Sequence, residues 1–188
     1  MKEELGRQLG QACREKGFFL LKGYAAPEEV FQDTLALNQH YFEEIPDEEK
    51  SKVPCEGPDG YFLGYRTVLS AQRTQQLTRA DRMLESDKLS EEDLATVAPD
   101  LLQSFLVNTG PKDYSKHHPM LFAPRYPEQP PHLKSVMQRF QYTGMEMALD
   151  VMSLVAIELG APENYFEPLF DRSFTVSCLN YYPPLTPE

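Results

Sequence analysis

The chain has 188 residues, is 41% hydrophobic and carries a net charge of −11. That length suits one domain or little more and can bury a sizeable core. The acidic balance argues against a nucleic-acid or anionic-membrane surface, and no apolar run reaches membrane-spanning length. No secretory signal is read at the start. The three cysteines, Cys13, Cys55 and Cys178, form neither a CxxC pair nor a disulfide framework. A reduced, cytoplasmic setting is the expectation, with the cysteines as small buried hydrophobes.

Residues 4–16 read as a first helix, with Leu5, Leu9 and Ala12 on one face and Gly17 at its C-terminal cap. Phe18, Phe19, Leu20 and Leu21 follow, closed by Gly23; four apolar residues between glycines predict a strand buried on both faces. Pro27 suits the first position of a second helix with the stripe Val30, Phe31, Leu35, Tyr41, Phe42 and Ile45, ended by Pro46. Asp47, Glu48, Glu49 and Lys50 predict a short capped helix. Residues 54–64 are loop-like and 61–65 a short aromatic strand. Residues 73–100 are polar and helical in propensity, with Ser90 and Asp93 spaced as a capping box. A short strand is expected at 104–107, then a proline-rich connection over 110–131.

The stretch 132–159 organises the chain. Leu133, Val136, Met137, Phe140, Met145, Ala148, Val151, Met152, Val155 and Leu159 recur in helical steps. Pro130 and Pro131 precede it, Gly160 fits the residue after the cap, and Pro162 blocks continuation. Its apolar second half, 151–159, is expected to be buried. Residues 174–182 then alternate as a strand, with Phe174, Val176, Cys178 and Asn180 facing one way and Thr175, Ser177, Leu179 and Tyr181 the other. Pro183 and Pro184 end it. Residues 18–21 and 174–181 are expected in one sheet resting on the long helix.

Several phrases in this order resemble the non-haem iron(II), 2-oxoglutarate-dependent dioxygenases of the isopenicillin N synthase-like type. They are the Gly17-Phe18-Phe19 stretch after a helix, Pro46-Asp47-Glu48-Glu49-Lys50, the segment 61–65, Ser104-Phe105 after Gln103 (where the family has Glu), and Asn180-Tyr181-Tyr182-Pro183. The resemblance implies an α+β fold: an N-terminal helix-strand-helix region, a long core helix, and the first strands of an incomplete jelly roll (double-stranded β-helix). It divides the chain into an N-terminal dioxygenase region, 1–125, and the long helix with the start of the jelly roll, 126–188.

Two departures matter. The family's opening "P-v-I-D" strand is missing. Its iron ligands, an H-x-D pair with a distant His, and its R-x-S for 2-oxoglutarate fall after the "N-Y-Y-P" strand, where this sequence stops. The chain resembles the first half of such an enzyme. The complete enzyme would decarboxylate 2-oxoglutarate to succinate at Fe(II) while oxidising a small organic substrate. This chain alone is expected to be inactive and to bind neither group tightly. Self-association through an open sheet edge is the expected consequence of the missing strands. The competing reading is a non-catalytic binding or interaction module built on that scaffold.

The histidines support this. His40, His117, His118 and His132 are followed two residues later by Phe42, Pro119, Met120 and Lys134, so none starts an H-x-D. An iron site needs two imidazoles and a carboxylate on one face, and no catalytic or metal residue is assigned. There is no phosphate-binding glycine loop, nucleophile elbow or zinc spacing. The cofactor candidates are Asn180 and Tyr182, two apart on a strand, whose amide and phenol can hydrogen-bond a carboxylate. The resemblance places them in the 2-oxoglutarate pocket. It also puts Tyr61, Tyr65 and Arg66 near the substrate mouth without assigning them a role.

Overall fold

The computed structural model describes residues 1–55, 63–67, 101–108, 124–170 and 175–184. The expectations for 68–100, including the Ser90–Asp93 capping box, and those for His117, His118, Tyr61 and Phe174 lie outside the described residues.

Helix α1 spans Lys2–Glu15, α2 Glu28–Glu43, α3 Asp47–Lys50 and α4 Leu133–Glu158. Strands β1 (Gly64–Arg66), β2 (Gln103–Asn108) and β3 (Val176–Tyr181) form an antiparallel sheet in the order β1-β2-β3. A 3₁₀ turn over Glu167–Phe170 follows α4.

The long helix ends as its sequence requires. Gly160 adopts φ 72°, its N–H donates to the Ile157 carbonyl, and the Ala161 N–H donates to the Ala156 carbonyl, satisfying two carbonyls that a helix end otherwise leaves open. The first half of α4 delivers Leu133 and Met137 to the core. There they meet Leu37, Tyr41 and Phe42 of α2 and Tyr65, Phe105, Val107 and Leu179 of the sheet. The second half carries α1. A Cβ on Gly6 would come within 3.0 Å of the Leu154 carbonyl, so only a glycine permits this approach without a shift. Arg14 pairs with Glu158 at 2.8 Å, and Lys2 pairs with Glu163.

Lys50 is a buried charge at the joint of α2, α3 and the sheet. Its Nζ donates to the Phe42 carbonyl at 3.2 Å, pairs with Asp47 Oδ1 at 2.8 Å and lies 5.4 Å from the Tyr65 ring centre. The Tyr65 hydroxyl donates to Asp47 Oδ1 at 3.1 Å. The Lys50 ammonium, hydrogen-bonded to Asp47, holds that carboxyl below its ordinary range, while burial raises the Tyr65 phenol.

Four expectations are corrected. Residues 18–21 are not a strand and share no sheet with β3; Phe18 and Leu20 are 71% and 83% exposed. Their apolar pattern suits a sheet interior, but no strand among the described residues lies beside them. The second half of α4 is only half-buried, with Ala156 its one buried residue and Leu159 exposed, because α1 covers a single side. In α2 the expected Val30, Tyr41 and Phe42 are buried, but Thr34 and Leu37 complete that face and Leu35 points to solvent. The cysteines are not core residues: Cys13 and Cys178 are exposed and Cys55 is half-buried.

Candidate functional site

β2 is the central strand, and its register sets the site. Arg66 of β1 pairs with Ser104 of β2, and Ser104 pairs with Asn180 of β3. Directly paired residues point to the same face of a sheet, so a guanidinium, a hydroxyl and an amide form one row across the three strands. The next positions, Tyr65, Phe105 and Leu179, form the row on the opposite face, where they enter the hydrophobic core. The site is thus the back of the core.

The row is polar and in part sheltered. Ser104 is buried, Arg66 half-buried and Asn180 exposed. The Asn180 amide oxygen accepts from the Cys178 thiol at 3.0 Å, and Arg66 Nη2 lies 3.9 Å from the Cys55 sulfur. Asn38 of α2 donates to the Asn180 carbonyl at 3.0 Å, fixing that end of β3 against the helix. A cation, a hydroxyl and an amide in a row make a cradle for an anion, above all a carboxylate.

Backbone constraints hold β1 in place. Gly64 has φ +119°, and a Cβ there would sit 2.4 Å from the Pro54 carbonyl oxygen. The Tyr65 N–H donates to the Val53 carbonyl at 2.7 Å, and the Cys55 N–H to the Tyr65 carbonyl at 3.0 Å. Gly64 therefore lets 53–55 lie against β1 and aim Arg66 across the sheet.

Tyr182 follows the end of β3 and is 68% exposed. The sequence reading singled out Asn180 and assigned no role to Arg66 or Ser104. Cross-strand register, invisible in one sequence, brings the three together. The His40 and His132 rings stack with centres 6.2 Å apart, and His40 Nδ1 lies 3.1 Å from Glu44. Among the described residues, no group of three or more His, Cys, Asp or Glu is placed to hold a metal ion.

Residues 1–128 match the family model described as "non-haem dioxygenase in morphine synthesis N-terminal". The chain belongs to this non-haem dioxygenase N-terminal family. Among its relatives is Lateral Branching Oxidoreductase 1 of Arabidopsis thaliana, 25% identical over 178 residues, covering 94% of this chain and 40% of that protein. A 2-oxoglutarate-Fe(II) type oxidoreductase of Aspergillus fumigatus is 25% identical over 183 residues, covering 97% and 50%. A full-length Neurospora crassa protein, solved in complex with alpha-KG, superimposes with a TM-score of 0.70 at 22% identity, over 97% of this chain and 49% of that one. A 2OG-Fe(II) oxygenase family protein from Caulobacter crescentus gives 0.71 at 17% identity, over 100% and 54%. The chain therefore shares the dioxygenase fold while spanning about half the length of these relatives. No helix among the described residues is long and apolar enough to cross a membrane.

Proposed function

We propose that the chain is the N-terminal part of an iron(II)/2-oxoglutarate-dependent oxygenase acting on a small organic substrate. Residues 1–125 form the N-terminal region, and 126–188 supply the long helix and the first jelly-roll strands. The observation that carries this reading is the family match over 1–128, joined to a fold shared with an alpha-KG-bound protein across nearly the whole chain. In such an enzyme, iron and 2-oxoglutarate supply the oxidising chemistry.

This chain's part is to position and shelter. The row of Arg66, Ser104 and Asn180 offers hydrogen bonds and one positive charge to a carboxylate on the cosubstrate or the substrate. Tyr182, at the open end of the strand, walls the same space. The resemblance places the iron ligands in the half of the relatives that this chain does not span, so no turnover is expected of these residues by themselves.

Titration of 2-oxoglutarate tests the assignment. The protein is the chain continued after Pro184 by the jelly-roll half of a relative, loaded anaerobically with Fe(II). Asn180→Ala removes a hydrogen bond to a charged group, worth about 1.5–3 kcal/mol, and weakens 2-oxoglutarate binding about ten- to a hundredfold. Unchanged binding in Asn180→Ala and Tyr182→Phe would remove both from the cosubstrate pocket. Ordered assembly without any 2-oxoglutarate binding would favour the non-catalytic module.

A further inference from the structure

A cavity of about 440 Å³ opens between α4 and β3, lined by Phe140, Met145, Ala148 and Met152 of the helix and by the edge of the strand at Val176 and Cys178. Gln141, Thr175 and Ser177 interrupt its apolar wall. Gln141 is 3% exposed, and neither its amide nitrogen nor its amide oxygen has a partner among the described residues. An unmet buried donor and acceptor on one side chain each leave a desolvation cost uncompensated. A peptide group, which offers one acceptor and one donor, answers both.

The strand edge beside it asks for the same thing. β3 ends the sheet, so its outer edge has no strand neighbour among the described residues. Asn38 donates to the Asn180 carbonyl, which therefore points away from β2. By the two-residue period, the backbone groups of Val176 and Cys178 also point outward, beside the cavity that these residues line. Acceptor edge, apolar floor and buried amide together describe a place for an added strand.

The chain also carries an exposed apolar segment outside the sheet. Residues 18–22 have no helix or strand assignment and make no backbone hydrogen bond to one another or to the other described residues. Their exposure alternates, with Phe18 and Leu20 far more open than Phe19 and Leu21, as along one face of a strand. In strand geometry five residues extend roughly 17 Å, within the length of the six-residue β3.

We infer that the groove between β3 and α4 is a strand-acceptor site, and that residues 18–22 of a second copy of this chain occupy it when the chain is alone. The inference rests on the proposed function only in requiring a sheet that continues beyond β3. Its test reads association rather than activity, so the two readings fail separately.

The experiment is light scattering of the purified 188-residue chain across a concentration series. The chain is expected to dimerise reversibly, and more tightly as salt screens the repulsion between copies of charge −11. Phe18→Asp/Leu20→Asp, at exposed positions, removes the donor strand. Ala148→Arg, also exposed, blocks the groove. Each variant alone should be monomeric, and their mixture should recover a dimer, since one keeps the groove and the other the strand. A synthetic peptide of residues 17–23 should bind the donor-blocked variant and not Ala148→Arg. Gln141→Leu should raise the melting temperature of the monomer while weakening the dimer about tenfold, because it removes the unmet groups and the peptide contact together. A monomer at every concentration would overturn the inference. So would a dimer indifferent to both blocks, or a mixture that stays monomeric with no peptide binding.

Discussion

Lys50→Met is the most informative single change in the fold. Methionine keeps the apolar stem and deletes only the charge. The lost hydrogen bond from the ammonium to the Phe42 carbonyl is worth about 1.5–3 kcal/mol. That carbonyl lies in the last turn of α2, where a cation also opposes the negative end of the helix dipole. The contact with Asp47 contributes little more than about 0.5 kcal/mol, because the aspartate side chain is 67% exposed. Release of a buried ammonium from its desolvation penalty offsets part of the loss. The net expectation is a destabilisation of about 2 kcal/mol, or a fall in melting temperature of roughly 4–8 °C for a chain of this size. Thermal and urea unfolding measure it. Lys50→Ala should cost more, since it also strips the stem from between Phe42 and Tyr65. If Lys50→Met unfolds with the wild type, the ammonium is not what joins α2 to α3, and the reasoning is wrong.

Phe105→Ala, at a fully buried position, should cost about 3–5 kcal/mol by denaturant midpoint. Gly64→Ala should destabilise by about 3 kcal/mol or more, because the new Cβ meets the Pro54 carbonyl at a positive φ; wild-type unfolding would show that 53–55 do not pack against β1. Asp47 has a folded-state pKa below its unfolded value, so its contribution is full above the unfolded pKa and is lost as pH falls through the lower, folded one. Stability below about pH 4 should therefore fall less steeply in Asp47→Asn than in the wild type.

The elements legible in the sequence are those whose causes are local. The long helix announces itself by its period, by Pro130 and Pro131 before it and by Gly160 after it, and the structure places its ends within one residue of that reading. The alternation that separates Leu179 from Asn180 is likewise correct. Residues 18–21 show the limit. Their apolar run states a demand for partner strands, and a demand does not name its supplier. The Arg66–Ser104–Asn180 row was hidden for a related reason. Each residue is ordinary in its own segment, and only pairing between distant strands aligns them. The burial of 151–159 was misjudged because hydropathy does not say how many neighbours a helix will find.

The central claim is that this chain is one part of an iron(II)/2-oxoglutarate oxygenase. Succinate release, followed with Fe(II), 2-oxoglutarate and oxygen, tests it most directly. The account predicts no succinate from the 188 residues alone, and iron-dependent release once a relative's jelly-roll half continues the chain after Pro184. Stoichiometric iron binding and succinate production by the 188 residues alone, abolished by His117→Ala or His118→Ala, would contradict it.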